Sequence, residues 1–169
     1  QYKGYAQKSL TILSECETNP ETPEALQPFI LSYEASAMAL VAGETFKLSL
    51  IGKSFKLFET AIKKYGAVHY LPEFMRGSVA ENLPWFYFSK RALAKIDFEN
   101  IIRKEAQNPE YASWKIMSFV YWAWAKQHPQ RKYRPQALAY LQKAIELDPH
   151  YLAGRKRSEE LLSQFTIDN

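Results

Sequence analysis

Cysteine is almost missing from this chain. Cys16 stands alone among 169 residues, so an intramolecular disulfide and a cysteine-based metal cluster are both excluded. Glycine is scarce at six, and with it go the glycine-punctuated turns that β-sandwiches and nucleotide-binding loops require. No run approaches the roughly 18 uninterrupted apolar residues of a membrane span, so no transmembrane segment is expected. Histidine occurs three times, at His69, His128 and His150, too dispersed for the three or four convergent ligands of a zinc site. The net charge is only +4, without the dense Lys/Arg stripe of a nucleic-acid binder, and no specific nucleic acid is expected. No signal peptide is visible. With Gln1 as the first residue, the compartment stays open between the cytoplasm and an extracytoplasmic site reached after loss of a leader.

What is present is a soluble globular balance, 47% apolar and 24% charged, with aromatics at 15% to fill a core. Charge is uneven: residues 1–85 carry 8 basic and 9 acidic side chains, residues 86–169 carry 14 and 9. Six prolines (Pro23, Pro72, Pro84, Pro109, Pro135 and Pro149) precede segments of helical periodicity, and proline suits a first helical turn because its missing N–H has no intrahelical partner there. Thr22, Asn108 and Asp148 are suited to N-capping. Leu48, Ile51, Phe55, Phe58, Ile62 and Tyr65 recur at intervals of three and four, one apolar stripe that ends at Gly66. Gly43 marks a break before that stripe or a kink in one helix.

Helices are therefore predicted near 3–18, 23–43, 46–65, 71–83, 85–107, 109–127, 135–147 and 149–165, in one all-α domain spanning 1–169. Starts at 23, 71, 109 and 149 give a helix-pair period of about 38 to 48 residues, the range of an α-solenoid. The expected architecture is an N-terminal helix, three pairs over 23–66, 71–107 and 109–147, and a capping helix over 149–165.

Trp114, Met117, Ser118 and Tyr121 stand at the spacing of Trp-x-x-Leu-Gly-x-x-Tyr, and Ala137, Leu141, Ala144 and Pro149 follow at the spacing of a second helix and its closing proline. The stretch 114–149 resembles the tetratricopeptide repeat, with a link between the halves about seven residues longer than that repeat allows. The other pairs resemble it poorly: Ser54, Phe58, Ala61 and Gly66 fill the second-helix places of 23–66, and Asp97, Ile101 and Lys104 those of 71–109. The stretch from Leu71 through Pro84 into Phe98 loosely resembles small bacterial helical-repeat proteins, which brings no activity with it. The tetratricopeptide resemblance implies a right-handed superhelix and partner binding on a concave side lined by the first helix of each pair. It also implies that Ala144 faces its partner helix at a close crossing.

No catalytic constellation emerges. Gly52-Lys53-Ser54 ends like a phosphate loop, but position 47 is Lys47 where the first glycine should stand, and the triplet lies mid-helix on what reads as an exposed surface. His69 and Glu73 meet only if one helix covers both, and Pro72 argues against that. No Gly-x-Ser-x-Gly is present. The chain is expected to be non-catalytic and to need no cofactor. The aromatic stretches Trp85-Phe86-Tyr87-Phe88 and Phe119 through Trp124 read mainly as core.

Trp122 is the exception, because helical geometry sets it in a stripe with Lys115, Ser118 and Lys126. Two readings stay open for it: a contact residue of a concave groove, or a side chain covered by the next helix pair. Arg76 and Glu81 are groove candidates or a local ion pair, and Arg76 is expected to share a groove with Trp122. Lys126, Arg131, Lys132 and Arg134 in the inserted link, with Arg155, Lys156 and Arg157 on the last helix, form a basic patch or a solvated surface. The leading expectation is a protein-interaction module binding a peptide or partner subunit. The alternative is a small-molecule or substrate-binding accessory protein with an aromatic-lined pocket.

Overall fold

The computed structural model describes residues 4–167, and among them every regular element is helical. The chain divides into two compact units, residues 1–93 and 94–169, where the sequence suggests one domain. The first holds α1 (Tyr5–Thr18), a 3-10 turn (Glu24–Leu26), α2 (Gln27–Thr45), α3 (Ser49–Tyr65), α4 (Leu71–Asn82), a second 3-10 turn (Trp85–Tyr87) and α5 (Phe88–Arg91). The second holds α6 (Leu93–Gln107, whose first residue closes the first unit), α7 (Trp114–Gln127), a 3-10 turn (Arg131–Tyr133), α8 (Arg134–Leu147) and α9 (Arg155–Ile167). Position 3 of the predicted first helix lies outside the described residues.

In the first unit α2 is central, packed by α1, α3 and α4. It is apolar nearly all round, with Ile30, Leu31, Ala35, Val41 and Ala42 buried, as a sandwiched helix must be. Glu24–Thr45 is the one described helical stretch long and apolar enough to cross a membrane by length and composition, and half of it is buried inside the unit. The stripe on α3 buries Ile51, Phe55 and Phe58, while Leu48 stays exposed because it precedes the helix. Truncating Phe55 or Phe58 to alanine would cost about 3–5 kcal/mol. Small residues set the close crossing of this hairpin: Ser54 is fully buried and its hydroxyl donates to the Ala35 carbonyl at 2.7 Å. The Gly-Lys-Ser triplet therefore does not lie wholly on an exposed surface.

The second unit is built on the α7–α8 hairpin, with α9 packed on both of its helices. Trp124, Ala125, Ala137 and Leu141 form its core, joined by Ile102 from α6 and by Leu161, Leu162 and Phe165 from α9. Ala144 is fully buried, and its carbonyl accepts the Ser118 hydroxyl at 2.8 Å. The Gly154 N–H donates to the same hydroxyl oxygen at 3.1 Å. A Cβ on Gly154 would lie 2.4 Å from the Ser118 carbonyl oxygen, so only glycine lets the chain come this close.

Proline marks the helix starts less uniformly than the sequence suggests. Pro72 and Pro135 do lie in the first turns of α4 and α8, whereas α2 begins with Pro28, after Pro23 has led only a 3-10 turn. Gly43 lies inside α2, and the break falls at Phe46, in the left-handed region at φ 58°. The segment 85–107 is three pieces, divided between the units, and within the first unit α4 packs on α2, α3 and the short α5.

Pro109 and Pro149 lie in turns, not at helix starts, because carboxylates gather the N–H groups there. Glu105 accepts from Glu110 at 3.2 Å and Ala112 at 2.9 Å. Asp148 accepts from Leu152, Ala153 and Arg155 at 2.7, 2.8 and 3.1 Å, which caps α9 from seven residues upstream. Each turn holds one left-handed residue, Glu110 at φ 76° and Tyr151 at φ 57°. Asn108 bonds only through its backbone here, and the Thr22 hydroxyl donates back to the Cys16 carbonyl at 2.7 Å, so neither is seen as an N-cap.

Candidate functional site

The candidate side chains fall in both units. Arg76 and Glu81 are half-buried on α4 in the first. Lys115, Trp122 and Lys126 lie on α7 in the second, with the basic residues 131–134 and 155–157 in the elements that follow. Ser118, placed by helical geometry in the same stripe as Trp122, is fully buried between α8 and Gly154. It is a packing residue and divides Lys115 from Trp122. The Lys115 ammonium turns instead over the Trp114 ring, 5.4 Å from its centroid.

Trp122 is half-buried, with part of its ring against the Trp124/Leu141 core. Two cations meet that ring: Lys126 from one turn further along α7 at 5.1 Å, and Arg157 from α9 at 5.0 Å. Arg157 also lies 5.5 Å from the Phe119 ring, which packs edge-on to Trp122 at 5.2 Å. Tryptophan attracts cations through the negative face of its ring, so the arrangement holds two positive charges on a rigid aromatic plate.

Beside it opens a cavity of about 560 Å³, lined by Lys126, Arg131, Arg134, Leu161, Gln164 and Phe165 among others. Three of those six carry positive charge. Arg134 donates to the Phe165 carbonyl and lies over the Phe165 ring, so it ties α8 to α9 while lining the cavity. The remaining basic residues lie differently. Lys132 sits over Tyr133 at 4.6 Å, and Lys156 is exposed. Arg155 pairs with Glu159 at 2.7 Å, a bond that raises its already high pKa. The basic clusters thus divide: Lys126, Arg131 and Arg134 line the cavity, Arg157 covers Trp122, Arg155 is paired, and Lys132 and Lys156 lie apart.

The inserted link is pinned, not loose. His128 stacks on Trp124 at 4.0 Å, holds Nδ1 2.8 Å from the Trp124 carbonyl, and meets Tyr133 edge-on at 4.9 Å. These rings fix residues 128–134 so that Arg131 and Arg134 reach the cavity. Sequence reading missed Phe165 as a wall of the site and Arg157 as a cover of Trp122. The spacing of Leu161, Leu162 and Phe165 signals burial, but the contact across α9 is tertiary.

Elsewhere the chemistry is sparse. No group of three or more His, Cys, Asp or Glu side chains that could hold a metal ion occurs among the described residues. His69 accepts the Leu71 N–H through Nδ1 at 3.1 Å, and burial lowers its pKa; it sits at the start of α4 rather than in a ligand set. No family model, no curated protein and no solved structure matches this chain.

Proposed function

We propose that the chain is a non-catalytic interaction module of tetratricopeptide type, whose second unit binds an acidic peptide segment or partner subunit alongside Trp122. One observation carries the reading. A half-exposed tryptophan bearing two cations adjoins a cavity with three basic lining residues. An aromatic plate supplies contact area with little rotamer entropy to lose, and the cations supply orientation through carboxylates. The α7–α8 crossing at Ser118 and Ala144, followed by α9 after Asp148-Pro149, supports the repeat assignment. Cationic walls suit an acidic segment better than an apolar small molecule, which favours sites with few polar groups.

Selection from a random peptide display library tests this directly. Segments enriched in Asp and Glu beside an apolar residue are the expected result. Absence of any enriched segment, or enrichment that survives Trp122→Ala unchanged, would overturn the proposal.

A further inference from the structure

The first unit carries a feature independent of that reading. Its C-terminal aromatic stretch, expected in the core, is in solvent: Trp85 is 81%, Phe86 51% and Phe88 77% exposed. On the turn between α2 and α3, Phe46 is 84% and Leu48 53% exposed. Single exposed apolar residues are ordinary, but five large ones on two turns are not.

The two turns share one end of the unit. α2 and α4 begin together, since His69, just before α4, sets its ring 4.8 Å from Phe29 in the first turns of α2. α3 returns from the far end of α2, so the end of α2, the start of α3 and the end of α4 lie at the same side. Lys90, 4.8 Å over the Phe55 ring in the first half of α3, places the segment after α4 there as well.

The turns are held, not loose. Phe46 occupies the left-handed region at φ 58°, and the Arg91 guanidinium closes the second turn onto the Leu83 carbonyl. Cavities of about 340, 560 and 760 Å³ are lined by other residues, and the exposure of these rings shows that they project outward. Around them, segments 44–53 and 81–91 carry Lys47, Lys53, Lys90 and Arg91 against Glu44 and Glu81.

We propose that this end of the first unit is a peripheral membrane-docking face, which sets Phe46, Trp85 and Phe88 into the headgroup–acyl boundary of a bilayer containing anionic lipid. Aromatic side chains projecting from turns suit a fluid apolar phase, which needs no matching cavity, and tryptophan favours the headgroup level. Flanking lysines add attraction to a negative surface. Helix-forming membrane anchors use the same combination of apolar and basic faces.

Flotation of the full chain with vesicles of about three parts phosphatidylcholine to one part phosphatidylglycerol tests the proposal. The chain should float with these vesicles and less with phosphatidylcholine alone. Phe46→Ser/Trp85→Ser/Phe88→Ser should lower vesicle affinity about tenfold or more with unchanged circular dichroism. A brominated-lipid version keeps the test independent of that variant's folding: tryptophan emission should be quenched in the parent chain and spared in Trp85→Phe. A chain that stays in the aqueous fraction, a triple variant that floats like the parent, or quenching unchanged in Trp85→Phe would overturn the proposal. The first of those is also the outcome expected if this face serves a protein partner.

Discussion

Two hairpins in this molecule solve the same packing problem with the same chemistry, run in opposite directions. In α2–α3 a buried serine of the second helix, Ser54, donates to Ala35 of the first. In α7–α8 a buried serine of the first helix, Ser118, donates to Ala144 of the second. The difference lies in the third party. Ser118 also accepts the Gly154 N–H, and Gly154 fits only because it has no Cβ. The second unit thereby locks three helices through one hydroxyl. Around Ser54 the structure offers only the pairwise bond. The comparison teaches that a junction to the next helix constrains several small residues at fixed spacing, while a pairwise crossing constrains fewer.

The largest effect should come from the anchor of that junction. Asp148 is fully buried and serves three N–H groups. Burial alone would raise its pKa, but the backbone bonds and Arg155 outweigh it and hold the carboxyl below the ordinary aspartate range. Asp148→Ala should destabilise the second unit by about 2–4 kcal/mol, seen in urea unfolding. Because the folded pKa is lowered, this stabilisation is complete above the unfolded value of about 3.9 and disappears as pH falls through the folded one. The parent should lose the contribution in acid, and Asp148→Ala should flatten that part of the profile.

Gly154→Ala comes next. Its Cβ would meet the Ser118 backbone, which cannot swing aside as a side-chain end can, so a cost of about 1–3 kcal/mol is expected in thermal melts. A smaller effect sharpens the comparison itself. Ser118→Ala removes the hydroxyl that accepts the buried Gly154 N–H and should cost about 1–2 kcal/mol, whereas Ser54→Ala removes a second bond to a helical carbonyl and should cost under about 1 kcal/mol. Equal costs would show that the third helix adds nothing to the junction.

The smallest effect has the opposite sign and belongs to the first unit. Glu34 is buried at the α1–α2 contact, accepts the Ser14 hydroxyl at 2.5 Å, and leaves its other carboxylate oxygen unbonded. Burial raises its pKa, with Glu17 adding repulsion and Ser14 opposing. The folded state therefore keeps a proton that the unfolded chain releases, and stability falls as pH rises from the ordinary glutamate range through the folded value. Glu34→Gln should raise the melting temperature slightly at neutral pH and remove that decline.

Much of the helical framework was legible because apolar spacing and proline both act locally. The stripe from Ile51 to Phe58, the stop at Gly66 and the start at Pro72 needed no tertiary information. Pro109 and Pro149 misled because Glu105 and Asp148 capture the following N–H groups and hold a turn for several residues before a helix begins. Trp85, Phe86 and Phe88 misled for a different reason: aromatic composition signals burial only on average, and the 3-10 turn after Pro84 and the start of α5 carry those rings outward. At the candidate site, helical geometry alone picked out Trp122. Arg157 reaches it from 35 positions along the chain, through the fold of α9, and no local pattern carries that contact.

The central claim is that Trp122 serves recognition more than folding, and one paired measurement on Trp122→Ala tests it. With an acidic peptide from the selection, titration calorimetry should show affinity reduced about tenfold or more, while the melting temperature falls by only a few degrees, about 1 kcal/mol. Unchanged affinity, or a loss of stability large enough to account for the loss of binding, would contradict the account and make Trp122 part of the core.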